Sequence, residues 1–216
     1  MDTGPASTAA IIPPLPEELP VFPLPGVLLL PRGRLPLNIF EPRYIAMVDD
    51  ALKTDRMIGM IQPRDDAALY ETGCAGKITS FDETEDGRYL ITLTGISRFK
   101  IKNELPLKNG YRRFRADWSP FSDDFKETDC LDLDRDALKK MLAEYFQLQD
   151  LCCDMDAIDG ASDNKLITCL SMICPFDPGE KQALLEARCC RERAQKFLAL
   201  LKIAVHDGGC CGGGCH

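Results

Sequence analysis

The sequence is poor in the residues and motifs that would assign a chemistry directly. Of its 216 residues only two are histidines, His206 and His216, and both lie near the C-terminus, so a Ser-His or Cys-His pair has no positioned base. No G-x-x-x-x-G-K-S/T motif is present. Residues 73–79 come nearest, but their glycine spacing is wrong and they belong to a strand-like segment. We therefore expect neither ATP binding nor histidine-dependent catalysis, and the sequence offers no candidate catalytic residue.

A basic surplus and long apolar segments are also missing. The chain has 26 Lys and Arg against 34 Asp and Glu, a net charge of −8, which disfavours a general binder of nucleic-acid backbones. No apolar run approaches the roughly 20 residues that span a bilayer, and the N-terminus does not resemble a signal peptide. We expect a cytoplasmic protein that binds neither a membrane nor DNA. RNA is a disfavoured partner.

Cysteine is abundant but does not form a recognisable site. The eleven cysteines are odd in number, and without an export signal we expect them to be reduced, with Cys152, Cys169, Cys174 and Cys189 acting as small apolar residues on helices. The one candidate for a metal site is the tail formed by residues 210–216, which contains three cysteines and His216. Adjacent cysteines in a glycine-rich tail are poorly preorganised for zinc. The sequence predicts no metal site and no cofactor, and leaves open whether this tail binds metal.

The most informative stretch is residues 19–52, where prolines separate short apolar strands. A residue before proline is disfavoured in helices and proline suits the first helical position, so Glu41 is predicted to be extended and Pro42 to begin a helix. The predicted core-facing residues of that helix are Ile45, Val48 and Leu52, with Asp49 and Asp50 facing away. We interpret the stretch as a folding nucleus and not as a ligand site.

Alternating patterns predict strands between residues 57 and 118. A short apolar run at 57–61 precedes a hairpin whose arms, 77–81 and 89–93, flank Asp86-Gly87, a pair typical of tight turns with positive φ at both positions. Gly95 allows a bulge before the strand at 96–101, in which Arg98 shares a side with Lys100. Another alternating strand covers 111–118.

Helical spacing replaces strand alternation after an acidic connector. The first predicted helix buries Leu138, Met141, Leu142 and Tyr145. Ser162 is the predicted N-cap of a second helix, whose face consists of Leu166, Cys169, Leu170 and Ile173, ending before Pro175. Asp177-Pro178-Gly179-Glu180 resembles a capping box at the start of a third helix. A fourth apolar segment, with Phe197 and Leu201, continues or follows that helix.

These patterns divide the chain into five parts. They are a loose tail at 1–16, a β-rich subdomain at 17–118, an acidic connector at 119–130, a helical subdomain at 131–205 and a Gly/Cys-rich flexible tail at 206–216. The predicted fold class is α+β.

Several of these motifs together resemble the substrate-binding (N-terminal) domain family of Lon proteases, in its stand-alone bacterial form. The resemblance rests on Phe22-Pro23-Leu24-Pro25, Phe40-Glu41-Pro42-Arg43-Tyr44, Asp86-Gly87-Arg88-Tyr89, Gly95-Ile96-Ser97-Arg98-Phe99 and Pro175-Phe176-Asp177. It implies a PUA-like β-pseudobarrel followed by a C-terminal helical bundle. It also implies a role in recognising polypeptides, without the ATPase and Ser-Lys peptidase parts of the protease. The residues 188–190, where relatives tend to break the helix, leave the helix boundary open.

Three functions are compatible with the sequence. The leading hypothesis is a non-catalytic polypeptide-binding module that recognises unfolded or degron-bearing polypeptides, or a protease or chaperone partner. An RNA-binding module is an alternative because residues 111–115 interleave aromatic and basic side chains. A cryptic Ser-Lys hydrolase is the third. No ligand-binding residue is assigned, although an apolar groove between the two subdomains would favour the first hypothesis.

Overall fold

The computed structural model describes residues 14–64, 68–126, 131, 133–149 and 160–210, with side chains to residue 206. Most of the predicted N-terminal tail and the tail beyond Cys210 lie outside these residues. The strands are β1 (Glu18–Pro23), β2 (Arg34–Ile39), β3 (Met57–Ile61), β4 (Thr72–Glu83), β5 (Tyr89–Lys108) and β6 (Tyr111–Asp117). The helices are α1 (Pro42–Leu52), α2 (Arg135–Leu148), α3 (Asp163–Ile173), α4 (Pro178–Leu185) and α5 (Cys190–Cys210), and a 3-10 segment covers Ser119–Phe125.

The six strands form one sheet in the order β2-β5-β4-β3-β1-β6, and β5 also pairs with β6. This second pairing closes a ring of five strands, because β5 is 20 residues long and reaches β2 and β4 with its first part and β6 with its last. The β1–β3 pair is parallel. The predicted fold, an α+β pseudobarrel followed by helices, is confirmed.

The corner before α1 forms as its prolines predict. Glu41 is extended, with φ −73° and ψ 131°, and Pro42 begins the helix. The buried face differs from the prediction: it consists of Tyr44, Met47, Val48 and Ala51, while Ile45 and Leu52 are half-buried. The helix packs against β1, β3 and β6. These contacts decide which face of the helix is buried, because the spacing of its apolar residues is compatible with more than one face.

The prediction that two carboxylates of α1 face away from the sheet was wrong. The hydroxyl of Tyr89 donates to Asp49 at 3.1 Å, and that of Tyr111 donates to Asp50 at 2.8 Å. Both tyrosines belong to strands beside the helix, and their hydroxyl groups reach its polar edge. These carboxylates therefore help to attach α1 to the barrel.

The β4–β5 hairpin is present, but its turn differs from the predicted one. Gly87 has φ 77°, whereas Asp86 is not among the residues with positive φ. The N–H of Gly87 donates to the carbonyl of Thr84, and the N–H of Thr84 donates to the carbonyl of Arg88. This pattern is that of a type I turn followed by a left-handed glycine. The bulge at Gly95 is confirmed by a register shift in the β4–β5 pairing.

The barrel interior is organised around Phe99, which is fully buried. Two glycines make room for its ring, since a Cβ added at Gly59 or Gly73 would lie 2.7 Å from the Phe99 Cζ. Alternate strand residues point outward into a larger apolar cluster. That cluster contains residues of α1 and residues of all the later helices, so it joins the barrel to them.

The helical half agrees with its predicted caps better than with its predicted faces. Glu180 accepts the N–H of Asp177 at 2.9 Å, which confirms the capping box. On α3, however, Cys169 and Ile173 are exposed, and Leu166, Ile167 and Leu170 form the buried face. Ser162 occupies the N-cap position without a side-chain bond.

Helices α4 and α5 are separate, and α5 continues to Cys210, past the predicted end of the helical part at residue 205. Among the described residues, no helix has both the length and the apolar character that crossing a membrane requires.

Candidate functional site

A cleft of about 780 Å³ lies between the barrel and the helices. One side is formed by Pro31, Arg32 and Arg34, at the connection into β2. Helix α3 and the α4–α5 connection contribute residues from the helical half, and the 3-10 segment contributes Asp123 and Asp124. An apolar groove between the two halves is the feature that would favour polypeptide binding. This cleft has the expected position, but its described lining is only partly apolar.

Helix α3 contributes an apolar stripe to this cleft. Cys169, Met172 and Ile173 have the spacing that places residues on one side of a helix, and all three line the cleft. Ile173 is 61% exposed. Helical spacing predicts Cys169 and Ile173 in the core. Both are exposed instead, because α3 carries more apolar residues than its one buried face can take.

The two sides of the cleft come into contact at Gly33. A Cβ added to this glycine would lie 2.3 Å from the Sδ of Met172. The backbone of Gly33 is held in place because its N–H donates to Leu30 and its carbonyl accepts the N–H of Gly95. The absence of a side chain at residue 33 therefore lets α3 approach the barrel closely.

A buried ion pair lies at the base of the cleft. The guanidinium of Arg98 is 2.6 Å from the carboxylate of Asp124, and the backbone N–H of Arg98 donates to the same carboxylate at 2.9 Å. The remaining guanidinium nitrogen donates to the carbonyls of Leu185 and Ala187 at the end of α4. Arg98 thus connects β5, the 3-10 segment and α4.

A second buried arginine reaches the same end of α4. Arg193 donates from Nε to the carbonyl of Leu184 at 3.0 Å. Burial lowers the pKa of Arg193, and the nearby charge of Arg98 lowers it further. The carbonyls at a helix C-terminus carry partial negative charge, which favours cations there. The base of the cleft is therefore a buried, hydrogen-bonded junction with a surplus of positive charge.

Arg32 is held at the rim in an unusual backbone conformation. Its φ is 66°, a left-handed value that costs a non-glycine residue about 1–2 kcal/mol. Its N–H donates to the carbonyl of Gly95 at 2.8 Å, and its guanidinium donates to the carbonyl of Lys126 at 2.8 Å. The strained turn places a guanidinium between the connection into β2 and the 3-10 segment.

The lining of the cleft is cationic although the chain is acidic. Among its described lining residues are seven Lys and Arg and two aspartates. Arg34 and Lys165 are exposed and have no ion-pair partner within the described ranges. Arg188 is 94% exposed, and its contact with Glu192 is long, at 4.0 Å. The cleft thus combines an apolar stripe with cations that can bind carboxylates.

The five cysteines whose side chains the structure describes have free thiols in different environments. Cys169 and Cys189 are exposed in the cleft and do not act as packed apolar residues on helices, since Cys189 lies in the α4–α5 connection. Cys74 and Cys174 are buried, and burial raises the pKa of Cys74. In the part of the chain that the structure describes, no group of three His, Cys, Asp or Glu could hold a metal ion. Cys152 and the tail beyond Cys210 lie outside that part.

The strand that motivated RNA binding has both its aromatic rings and two of its three arginines engaged, and only Arg115 is exposed. Tyr111 and Phe114 are buried, so neither ring is available to stack on a base. Arg112 is 2.6 Å from Glu104, and Arg113 is 3.2 Å from Glu18. This strand is a structural part of the barrel.

Lys181 is a buried lysine, which a Ser-Lys hydrolase would require. Burial lowers its pKa. Its ammonium donates to the carbonyl of Gly26 at 2.8 Å, and the neighbouring Gln182 donates to Thr72 at 3.1 Å. These bonds attach α4 to the barrel, and in the described part of the chain the ammonium of Lys181 has no hydrogen bond to a serine hydroxyl.

Sequence reasoning did not identify the residues of the cleft. Strand alternation places Arg98 on the same side as the exposed Lys100. It does not show that the 3-10 segment and α4 cover Arg98. One signal was available: residues 166–173 of α3 contain more apolar side chains than a single buried face needs. The basic residues around Gly33 were a second, weaker signal.

Comparisons with known proteins agree with the resemblance. Residues 18–202 match the family described as the ATP-dependent protease La (LON) substrate-binding domain. Lon protease 2 of Myxococcus xanthus is 29% identical over 143 residues, which cover 62% of this chain and 17% of that protein. Lon protease 2 of Sorangium cellulosum is 28% identical, and the match covers 16% of it. The chain therefore spans about a sixth of the length of these relatives.

Two solved structures share the fold. The Lon N-terminal domain protein from Xanthomonas campestris is 25% identical, with a TM-score of 0.59, and the match covers 84% of this chain and 97% of that one. The N-terminal domain of the Mycobacterium avium complex Lon protease is 17% identical, with a TM-score of 0.60, covering 88% and 98%. The second likeness concerns the fold alone.

Proposed function

Because this chain belongs to the Lon substrate-binding domain family, we propose that it is a non-catalytic polypeptide-binding module whose binding site is the cleft between the barrel and the helices. The cleft supports this function by its chemistry as well as its position. Its volume of about 780 Å³ lies in the usual range for ligand sites. Unfolded polypeptides expose apolar side chains, and the stripe formed by Cys169, Met172 and Ile173 offers an apolar surface to them.

Met172 suits this role because methionine is flexible and polarisable and can adapt to side chains of different shape. The buried ion pair of Arg98 and Asp124 complements it, because it anchors the base of the cleft beneath the apolar lining. A site that must accept many different polypeptides needs both properties.

Two observations support the non-catalytic part of the proposal, one from the sequence and one from the environment of Lys181. The chain has no phosphate-binding motif, and buried Lys181 bonds a backbone carbonyl. The proposal includes a cytoplasmic location, which the free thiols support, and a protease or chaperone as the receiver of the bound polypeptide.

A cysteine footprint tests the site. The full chain is treated with iodoacetamide with and without unstructured casein, and alkylation of each cysteine is followed by mass spectrometry. We expect casein to slow the alkylation of Cys169 and Cys189. A Lys140→Cys variant is the matched control, because Lys140 is exposed on α2 and does not line the cleft. Unchanged rates at Cys169 and Cys189, or equal protection at residue 140, would contradict the proposed site.

A further inference from the structure

The cleft has the opposite charge to the chain that surrounds it. Among the lining residues that the structure describes, Lys and Arg outnumber Asp by seven to two, whereas the whole chain has a net charge of −8. We propose that the cleft selects acidic polypeptide segments, in which carboxylates accompany apolar side chains. This inference rests on the proposed function and adds the chemistry by which ligands are chosen.

The two carboxylates in the lining are already neutralised by cations of the chain itself. Asp124 is 2.6 Å from Arg98, and Asp123 is 2.6 Å from Lys126. Within the described part of the lining, no carboxylate is left for the other cations of the cleft. An acidic ligand can supply the missing charge without displacing an existing ion pair.

These other cations come from both halves of the protein. Arg32 and Arg34 belong to the connection into β2, and Lys165 and Arg188 belong to the helical half. A polypeptide in the cleft would meet cations on either side. Arginine binds a carboxylate with two parallel hydrogen bonds, which adds orientation to the attraction.

The conformation of Arg32 supports a functional reason for its position. A φ of 66° is strained for arginine, and glycine would adopt it without cost. Strained residues persist when the surrounding structure holds them, and they concentrate at functional sites. Its guanidinium donates to a backbone carbonyl rather than to a carboxylate, so its charge is still available to a ligand.

The spacing along α3 defines the ligand further. Lys165 is exposed near the start of α3, and Met172 and Ile173 lie near its end. A helix rises about 1.5 Å per residue, so the lysine and the apolar pair are separated by roughly 11–12 Å. An extended polypeptide covers that distance in about three to four residues. The preferred ligand has a carboxylate about three to four residues from a large apolar side chain.

Fluorescence anisotropy with matched peptides tests this inference. Three labelled peptides of about twelve residues contain the same apolar side chains, accompanied by Glu, Ser or Lys at the positions between them. We expect the full chain to bind the Glu peptide at least about tenfold more tightly than the Lys peptide, with the difference shrinking as salt screens the charges.

Charge reversal connects the preference to the cleft. In the Arg34→Glu/Lys165→Glu double variant we expect the Glu peptide to bind no better than the Ser peptide. Lys140→Glu is the matched control, because it reverses one exposed charge on α2 outside the cleft, and should leave the preference unchanged. Circular dichroism shows whether the double variant is folded. If it is not, the salt dependence of the three affinities of the original chain tests charge selection instead, and a preference for the Glu peptide that salt does not reduce would overturn it.

The outcomes separate this inference from the proposed function. If no peptide binds, both fail. If all three bind equally, or the double variant keeps the preference, charge selection is overturned while polypeptide binding stands. If a single-stranded oligouridylate binds as tightly as the Glu peptide, the cleft is a general polyanion site and the inference is also overturned.

Discussion

The guanidinium of Arg98 and the carboxylate of Asp124 lie 2.6 Å apart, and both side chains are almost completely buried. They are separated by 26 residues in the chain, and Arg98 also bonds carbonyls 87 and 89 residues away. This junction is the floor of the proposed binding cleft. It also links the barrel to the C-terminal end of α4, so the shape of the site and the attachment of the helices depend on the same residues.

Asp124→Ala should strongly destabilise the fold. The substitution leaves the Arg98 cation buried without its partner, which typically costs about 3–5 kcal/mol. Urea unfolding followed by circular dichroism measures the loss. Asp123→Ala is the matched control, because Asp123 and Lys126 form an exposed pair worth about 1 kcal/mol or less. Equal effects of the two substitutions would contradict the structural role of the junction.

Tyr44→Ala should lower stability before it affects binding. Tyr44 is buried, and its ring centroid lies 4.2 Å from that of Phe22, so the cavity should cost about 3–5 kcal/mol. Helix α1 does not line the cleft, so peptide affinity at a temperature where the variant is folded should be unchanged. Thermal melting and anisotropy measure the two effects. Phe40→Ala, at an exposed ring, is the control, and an unchanged melting temperature for Tyr44→Ala would refute the prediction.

Gly33→Ala should destabilise the protein through Met172. The new Cβ would lie 2.3 Å from the Met172 Sδ, so this side chain must move, at a cost of about 1–3 kcal/mol. In a double-mutant cycle, Met172→Ala should recover part of that loss, giving a coupling of about 1 kcal/mol.

Gly95→Ala provides the contrast to Gly33→Ala. Its Cβ would lie 2.0 Å from the carbonyl oxygen of Leu30, and a backbone atom cannot move aside as a methionine can. We expect a larger loss of stability in urea unfolding and no recovery with Met172→Ala. A recovery there would show that the loop moves as a unit.

Asp50 should make stability depend on pH in the acid range. The hydroxyl of Tyr111 and the ammonium of Lys108 hold the pKa of Asp50 below its ordinary value of 3.8. The unfolded chain therefore takes up a proton at higher pH than the folded one. The resulting stabilisation is complete above about pH 5 and disappears as the pH falls through 3.8 and then through the lower folded pKa.

The Asp50→Asn variant tests that dependence. Asparagine keeps an oxygen that can accept the Tyr111 hydrogen bond but does not titrate. We expect the original chain to be about 1 kcal/mol more stable than the variant at pH 7 and the difference to shrink steadily as the pH falls below 3.8, as measured by urea unfolding. A constant difference over this range would contradict the assignment.

Local signals in the sequence were sufficient for the elements that depend on neighbouring residues. Pro42 begins α1 because proline fixes φ and disfavours helix in the residue before it. Glu180 caps α4 because it lies three residues from Asp177, and Gly87 turns the hairpin because glycine accepts positive φ. The family resemblance, and with it the barrel, followed from such motifs together.

The sequence by itself therefore determined the elements, their order and the family of this protein, because caps, turns and periodicity act between residues close in the chain. Only the tertiary structure decided that Arg98 is buried, that Cys169 and Ile173 are exposed, and that Met172 packs on Gly33. Each of these depends on segments far apart in the chain, which the local pattern of apolar and polar residues does not encode. The cleft exists only where those segments meet, so its chemistry became visible only in the folded chain.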